Sequence, residues 1–286
     1  MSVAALRQKY HRRICKEILR ETPSSKTASY PNLADGGSKS SVEIAWGLVR
    51  ALGCSMRGRR LSGQTIGKRF EAATREYLED TFRLLHHLRP GQWHYFVDKA
   101  ISSFDQYEHL AYLDKVIGQD LGLSTALGGD YIVKPDIVVG RAPVSDEDIN
   151  LREMILAESD AVATHTPLRR ANRGTTPLIL HASISCKWTI RSDRAQNTRT
   201  EALNLIRNRK GHLPHIAVVC AEPLPTRLAT LALGTGDLDC VYHFALPELM
   251  SVVKNVGSED QLDMLVMLIE GRRLRDISDL PFDLAV

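Results

Sequence analysis

Two segments that lie far apart in the chain each carry a charged residue within a stretch that otherwise has the composition of a buried β-strand. Asp136 lies among the apolar residues of segment 131–139, and Lys187 directly follows segment 177–186, which contains no Asp, Glu, Lys or Arg. Burying an isolated charge costs several kcal/mol unless the charge is paired or bound to a metal ion. A carboxylate and an ammonium group on neighbouring strands would satisfy each other, so we expect the two segments to lie together.

Glu201 follows Lys187 by fourteen residues and belongs to a segment with helical periodicity. The apolar stripe that indicates this helix consists of Ala202, Leu203, Leu205 and Ile206. A helix that follows the Lys187 strand could bring Glu201 back over the end of that strand. The two acids and the lysine could then bind a divalent cation and hold a water molecule beside a phosphate group.

The order of the predicted elements indicates an α/β fold with a mixed central β-sheet flanked by helices on both faces. A capping box, Ser40 to Glu43, is expected to begin the second helix. We expect one domain over residues 1–286, with a helical part over about 1–90 and a core over about 91–286. Helices are predicted over 2–21, 40–52, 65–88, 103–118, 146–158, 194–208, 225–233, 246–254 and 258–271, and strands over 131–139, 177–189, 214–220 and 239–244.

The composition argues against membrane and secreted proteins. Hydrophobic residues make up 43% and charged residues 25% of the chain, as is typical of soluble globular proteins. No segment approaches the apolar length of a membrane span, and the N-terminus lacks the apolar run of a signal peptide. The five cysteines show no CxxC spacing, and Cys186, Cys220 and Cys240 lie in apolar runs that predict buried thiols. We therefore expect a cytoplasmic protein in a reducing environment.

The net charge is only +3, but the basic residues are concentrated in three segments. Such concentrations are typical of surfaces that contact phosphate groups, although solvated surface arginines would give the same pattern. The basic residues concerned are Arg57, Arg59, Arg60, Lys68 and Arg69, then Arg169, Arg170 and Arg173, and finally Lys187, Arg191, Arg194, Arg199, Arg207, Arg209 and Lys210.

With these motifs the chain resembles type II restriction endonucleases of the PD-(D/E)xK superfamily, in the group that cuts CCGG-containing sites. Pro135-Asp136 matches the first half of the motif, and Ser185-Cys186-Lys187 matches the second half, in which this group replaces the usual acid with serine. The group takes the missing acid from a downstream helix, here Glu201. The match covers roughly residues 135–201, and beyond it the resemblance is one of length and layout. It implies a restriction-endonuclease-like core.

The resemblance also implies roles for the residues of the motif. Asp136 and Glu201 would bind Mg²⁺, with the backbone carbonyl of Cys186 as a further ligand and two ions expected in each active site. Lys187 would orient or deprotonate the attacking water and offset the charge of the phosphate. The Ser185 hydroxyl is expected to form a hydrogen bond with a water molecule.

Two further candidate site residues lie in the long third helix and in the segment just before it. Glu71 follows Phe70 on the inner face of this helix, where related nucleases place a glutamate near the metal site. A solvated acid paired with Lys68 or Arg75 remains an equally good interpretation of Glu71. Gln64, just before the helix, is a candidate for contact with the minor groove of DNA.

The segment Arg191-Ser192-Asp193-Arg194 matches the base-reading motif of the group. Arginine forms two hydrogen bonds with guanine O6 and N7, and aspartate accepts one from cytosine N4, so the segment suits G·C pairs. The alternative is a helix N-cap by Ser192 or Asp193 with arginines exposed to solvent.

We therefore expect a magnesium-dependent, site-specific double-strand DNA endonuclease of a restriction–modification system. The resemblance implies a palindromic GC-rich site, GCCGGC, cut to leave 5′-phosphate and 3′-hydroxyl ends. A palindrome requires two-fold symmetry, so at least a dimer is expected and a tetramer is favoured. The alternatives are a structure-specific repair or junction nuclease and a DNA-binding regulator whose nuclease core has lost activity.

Overall fold

The computed structural model describes residues 1–24, 28–56, 61–119, 122, 125, 132–157, 161–170, 177–234, 236–256 and 258–286, and gives no side-chain description for residues 192–194. The helices in chain order are α1 (Val3–Glu17), α2 (Lys39–Ala51), α3 (Gly63–Leu84), α4 (Glu108–Ile117), α5 (Asp146–Ile149), α6 (Ser192–Asn208), α7 (Pro225–Ala232), α8 (Leu246–Val256), α9 (Glu259–Glu270) and α10 (Leu280–Asp283). The strands are β1 (Glu21–Thr22), β2 (Tyr30–Pro31), β3 (Trp93–Val97), β4 (Ile137–Arg141), β5 (Ile179–Lys187), β6 (His215–Cys220), β7 (Cys240–His243) and β8 (Leu274–Asp276).

A six-stranded mixed sheet in the order β3-β4-β5-β6-β7-β8 forms the centre of the molecule. The strands β3, β4 and β5 pair antiparallel, whereas β5 to β8 pair parallel. Helices lie between the parallel strands because a parallel connection needs a crossover. The predicted α/β class and mixed sheet are therefore confirmed.

The direction of β5 and β6 fixes where the polar ends of these strands lie. Lys187, the last residue of β5, is in register with Cys220, the last residue of β6. The carboxyl ends of both strands thus meet at one edge of the sheet, and α6 and α7 begin just beyond that edge. Open α/β sheets commonly bind ligands at this edge.

The N-terminal helices complete the core rather than standing apart from it. Helix α3 packs against α1 and against β3 and β5, and it buries Phe70, Tyr77 and Phe82. Arg7 of α1 forms ion pairs with Glu248 of α8 and Asp276 of β8, at 2.6 and 2.8 Å. The two ends of the chain are joined by these contacts.

The structure corrects the predicted strand over 131–139. Tyr131 lies outside the described residues, and β4 begins only at Ile137, so that Asp136 lies immediately before the strand. Pro135 has no N–H to donate to a neighbouring strand, which favours a strand that begins after it.

The structure also corrects two predicted helices. The helix over 146–158 ends at Ile149, because the Asn150 side chain accepts from the N–H groups of Ile155 and Leu156, both at 2.9 Å, in place of helical hydrogen bonds. Helix α2 is capped by Ser38, whose hydroxyl accepts from the N–H of Ser41, and not by the expected Ser40.

The cysteines divide into two groups. Cys186, Cys220 and Cys240 are free and buried, as predicted. Cys15 and Cys54 form a disulfide across a Cα–Cα distance of 5.2 Å, which joins α1 to the segment after α2. The sequence analysis had not anticipated this pair. None of the helices in the described part of the chain is long and apolar enough to cross a membrane.

Candidate active site and nucleic-acid cleft

Asp136 and Lys187 meet at the edge of the sheet, as their sequence context predicts. Strands β4 and β5 are antiparallel neighbours, and Ile137 is in register with Ile184. The Lys187 Nζ atom lies 3.2 Å from Asp136 Oδ2, and the Cys186 N–H donates to the same oxygen at 2.6 Å. The carboxylate is therefore held between an ammonium group and a backbone donor.

Both side chains remain open to incoming groups. The Lys187 side chain is 19% exposed and the Asp136 side chain 26% exposed. A partly exposed ion pair of this kind can exchange a partner for a ligand at a smaller cost than a fully buried pair.

Glu201 approaches the same pair from helix α6. Burial raises the pKa of its carboxyl above the ordinary value, the positive charge of Lys187 lowers this pKa, and the negative charge of Asp136 raises it further. Glu201 is thus within electrostatic reach of both residues. Asp136 and Lys187 are thus in direct contact, and Glu201 interacts with both through its charge.

Glu71 faces this site from helix α3. Burial raises the pKa of Glu71 to about 7, and the charges of Asp136 and Asp98 add to the increase. Arg75, one of the partners considered for Glu71, instead forms an ion pair with Glu79 at 2.6 Å. The placement of Glu71 in the cleft described below favours its interpretation as a site residue.

The remaining two residues of the Ser-x-Lys motif are buried in β5. Ser185 is 8% exposed and shares a face of the strand with Lys187, two residues away. The Cys186 thiol forms a hydrogen bond with Thr74, and burial raises its pKa well above the ordinary value. This thiol therefore stays protonated, and only the backbone of Cys186 offers strong hydrogen-bonding groups to the site.

The donor chemistry of the site suits Mg²⁺, which prefers carboxylate and carbonyl oxygens. The negative charge of Asp136 raises the pKa of both Glu71 and Glu201, so the Asp136 carboxylate repels each of these two carboxylates. A divalent cation would relieve that repulsion. Within the described ranges, however, no three His, Cys, Asp or Glu side chains are already arranged to hold a metal ion. The residues therefore fit the cation by the type of their donor atoms.

The site opens into two adjoining cavities of about 530 and 510 Å³. The first is lined by Glu71, Asp136, Lys187 and Gln64, among others. The residues that border both cavities are Tyr30, Asn32, Ala34, Thr189 and Arg191. The catalytic candidates Glu71, Asp136 and Lys187 therefore share one cleft with the base-reading candidate Arg191, whereas Ser185 and Glu201 are not among the residues that line it.

Arg191 occupies the N-cap position of α6 and is exposed in this cleft. Ser192 and Asp193 lie inside the helix, so the alternative in which either residue caps it is wrong. Asp193 and Arg194 belong to the first turn, but their side chains lie outside the described part of the structure. Gln64 is exposed near the start of α3 and lines the first cavity.

The sequence analysis missed an ion pair in the second cavity, formed by Arg227 and Asp35. The Gly37 N–H and the Arg227 guanidinium hold the pKa of Asp35 below its ordinary value, and the charge of Arg191 lowers it further. Arg227 lies in the first turn of α7, where a positive charge opposes the helix dipole. That unfavourable position was the signal available in the sequence.

Two of the arginines assigned to basic surfaces instead stabilise the fold. Arg199 pairs with Asp237 at 2.9 Å and donates to the backbone carbonyl groups of Thr230, Leu231 and Leu233 at the end of α7. Arg169 is 7% exposed and pairs with Asp146 at 2.6 Å. Their charges are therefore not available to a ligand. Arg57, Arg59, Arg60 and Arg173 lie outside the described residues.

Comparisons with known proteins identify relatives of the chain. A family model described as NgoMIV restriction enzyme matches residues 10–286. The type II restriction enzyme NgoMIV of Neisseria gonorrhoeae is 49% identical over 258 residues, which cover 88% of this chain and 89% of the relative.

Two solved structures show weaker likeness. The restriction endonuclease PspGI in complex with substrate DNA is 15% identical, with 77% of this chain and 60% of that chain covered and a TM-score of 0.36. The type IIF restriction endonuclease Bse634I with cognate DNA is 13% identical, with 90% and 99% covered and a TM-score of 0.36. The extent of the family match and the identity to NgoMIV carry the assignment: this chain belongs to the NgoMIV restriction enzyme family.

Proposed function

We propose that this family member is a magnesium-dependent endonuclease that cuts both strands of DNA at a palindromic GC-rich site, GCCGGC, to leave 5′-phosphate and 3′-hydroxyl ends. Site-specific DNA cleavage follows from membership of a type II restriction enzyme family. The observation that carries the finer proposal is the Asp136 carboxylate, which Lys187 and the Cys186 N–H hold at the floor of a cleft that also contains Arg191.

The residues of the site have complementary tasks in this proposal. Asp136, Glu201 and the Cys186 carbonyl would hold Mg²⁺, with two ions per site. When bound, the metal supplies charge neutralisation at the phosphate and lowers the pKa of its bound water. In its charged form Lys187 would orient the attacking water and offset the negative charge of the scissile phosphate, whereas in its neutral form it would instead remove the proton of that water.

Glu71 and Ser185 support this arrangement. The Glu71 carboxyl has a pKa of about 7 and can therefore exchange a proton with a water molecule near neutral pH. Ser185 contributes a hydroxyl in place of the acid found in the general motif, which leaves Asp136 and Glu201 as the principal anionic groups. Glu71 adds a further carboxyl group to the cleft beside these two.

Recognition is assigned to the arginines and aspartates at the cleft. Arg191 and Arg194 would each form two hydrogen bonds with a guanine, and Asp193 would accept from a cytosine. Gln64 would contact the minor groove. The Arg227 and Asp35 pair offers the same donor and acceptor types in the adjoining cavity, so it could read a further G·C pair of the site.

A palindromic site calls for a symmetric assembly, at least a dimer and by our proposal a tetramer. An exposed apolar segment supports a self-association surface. Leu151, Met154, Ile155 and Val162 are exposed by 80, 82, 59 and 56% respectively, between α5 and β5. Apolar exposure on this scale is typical of protein interfaces, and a second copy of the chain is the occupant that the palindrome requires.

We place the protein in the cytoplasm, where its DNA substrate lies, as one endonuclease domain with its helical part over about 1–90 and its catalytic core over about 91–286. A single core that includes α1, α3 and the sheet supports the domain assignment.

Asp136→Asn tests the catalytic assignment. The amide keeps the size of the side chain but lacks the charge that a cation requires, so plasmid cleavage in magnesium should fall by about a thousandfold or more. Binding to the cognate duplex in calcium should persist, because Arg191 is unchanged. Lys187→Ala should have the same effect on cleavage. Cleavage by Asp136→Asn at a rate close to that of the wild type would reject the assignment.

A further inference from the structure

Glu222 is a buried carboxylate that none of the steps above uses. It lies two residues after β6, and the residue is only 1% exposed. Its Oε2 atom accepts from the Ile190 N–H at 2.9 Å, and its Oε1 atom accepts from the Leu224 N–H at 3.2 Å. Both oxygens are therefore committed to backbone donors of two different segments.

The first of these segments presents Arg191. Ile190 is itself 2% exposed and immediately precedes Arg191, which reaches both cavities of the cleft. The segment joins Lys187, at the end of β5, to the start of α6. The hydrogen bond from Ile190 therefore fixes the backbone at the residue where the chain turns from the catalytic lysine towards the exposed arginine.

The second segment presents Arg227. Leu224 is the N-cap of α7, and its carbonyl accepts from the N–H groups of Arg227 and Leu228, both at 3.0 Å. Glu222 thus holds the residue from which the first turn of α7 begins. One carboxylate spans the gap between the segments that carry the two cleft arginines, 191 and 227.

We propose that Glu222 is a positioning residue for sequence recognition, which sets the distance between Arg191 and Arg227 without touching DNA itself. The proposal rests on the proposed function, since it assumes that these arginines read bases. A two-pronged contact between arginine and guanine needs both donors within hydrogen-bond distance and angle. A shift of either segment would therefore weaken discrimination between sites more than it weakens attraction to phosphate groups.

The test compares Glu222→Gln with a matched control, Asp276→Asn. Glutamine has the shape of glutamate but turns one acceptor into an amide donor that must face a backbone N–H. Asp276 is also buried, and its two oxygens also accept from two backbone N–H groups, those of Leu246 and Ser278, both at 3.0 Å. Because Asp276 additionally pairs with Arg7 at 2.8 Å, its replacement is a stringent control that should disturb the fold at least as much. Asp276 is not among the residues that line either cavity, so it reports the general cost of such a change.

The site that the wild-type enzyme cuts is mapped first, and this duplex is then used with its single-base variants for binding in calcium. Glu222→Gln should lower the ratio of cognate to variant affinity by about tenfold, while binding to unrelated DNA changes little. Asp276→Asn should leave that ratio unchanged. Glu222→Asp, which keeps the charge but cannot span both donors, should lose discrimination as Glu222→Gln does.

The outcomes separate the two proposals. A wild-type enzyme without a preferred site would reject the proposed function. A folded Glu222→Gln that keeps the wild-type ratio, or an Asp276→Asn that loses it equally, would reject the positioning role alone. If neither Glu222 variant gives a cooperative thermal transition, Glu222 is needed for folding itself, and the positioning role is likewise rejected.

Discussion

At the scale of single residues, arginines of one helix have two different environments. Arg191 stands exposed at the start of α6 and borders the cleft. Arg199, two turns later, is bound by Asp237 and by carbonyl groups at the end of α7. Arginines that are close together in the sequence therefore need not form one basic surface, because each guanidinium can have different partners in the folded protein.

The two arginines should give opposite results when each is replaced by alanine. Arg191→Ala should relax the preference for the cognate site, by about 1–3 kcal/mol at the affected base pair, with little loss of stability. Arg199→Ala should lower the free energy of unfolding by about 1–3 kcal/mol and leave sequence preference unchanged, because it leaves the buried Asp237 carboxylate without its partner. Competition binding in calcium and urea unfolding measure the two effects. An Arg191→Ala enzyme that ranks all site variants as the wild type does would contradict the assignment.

The residues of the site could be predicted from the sequence where a charged side chain lies within an apolar segment. Asp136 and Lys187 stood out because each interrupts an apolar run, and the structure pairs them at 3.2 Å. Glu222 gave no comparable signal, and the signal at Arg227, a basic residue in the first turn of a helix, is weak by itself. The roles proposed for these two residues depend on the segments that carry Arg191 and Arg227, which lie close together only in the folded protein.

At the scale of elements, hydrogen bonds of side chains decided where helices begin and end. Ser38, and not the predicted Ser40, caps α2 by accepting from the Ser41 N–H, whereas the hydroxyl of Ser41 has a different partner. The Ser41 hydroxyl is fully buried and accepts from the Asp35 N–H at 2.9 Å. This contact fixes the turn that presents Asp35 to the cleft, and α2 begins after it.

Two serine substitutions distinguish the cap from its neighbour. Ser38→Ala should lower the free energy of unfolding by about 1 kcal/mol, because the N–H of Ser41 loses its acceptor. Ser40→Ala lies within the first turn and should change the free energy of unfolding by less than about 0.5 kcal/mol. Urea denaturation of both variants, at one protein concentration, makes the comparison. Equal losses would show that Ser38 is not the effective cap.

Elements with a strong pattern were predictable, and edge elements were not. The buried strands β5 and β6 and the long helix α3 follow from apolar runs and helical spacing. The edge strands β3 and β8 went unpredicted, since each has only one neighbour in the sheet and β8 is three residues long. Pairing with a distant strand, and not local composition, defines them.

At the scale of the whole molecule, buried histidines and buried glutamates have opposite effects on the stability of the fold as the pH falls. Burial lowers the pKa of His181 to about 3 and that of His243 to about 4. Above about pH 6.5 both histidines are neutral in the folded and the unfolded state, and the fold keeps its full stability. As the pH falls below this value, the unfolded state takes up protons that the folded state does not, so the stability of the fold decreases towards the folded pKa values. Burial raises the pKa of Glu71 and Glu222 to about 7, so the folded state binds protons more readily there and gains stability on the same change.

Removing one histidine should expose this balance. When the pH is lowered from about 7.5 to about 5, His181 should reduce the free energy of unfolding of the wild type by about 2 kcal/mol, because this histidine is protonated only in the unfolded state. His181→Gln lacks that loss, so its free energy of unfolding should fall by about 2 kcal/mol less over the same range. Urea unfolding at the two pH values, at one fixed protein concentration, gives both numbers. Parallel pH dependences for the two proteins would contradict the assignment of a neutral buried His181.

The apolar segment between α5 and β5 makes a prediction about assembly. Met154→Asp places a charge on a side chain that is 82% exposed, so the fold should be unaffected while association through this surface is opposed. Sedimentation equilibrium should show a smaller species than the wild type. Leu88→Asp, at another exposed apolar residue, is the control and should not change the mass. A wild-type mass for Met154→Asp would remove this segment from the interface.

The short path from Lys187 to Arg191 has a consequence for the evolution of new specificities. Only three residues lie between the two, and a hydrogen bond fixes the backbone of the last of them, Ile190. The segment that carries Arg191 therefore cannot be replaced by a segment of different length or conformation, because such a replacement would also move Lys187. New targets in such a lineage should arise by side-chain replacement on an unchanged backbone, and laboratory retargeting should succeed by the same route.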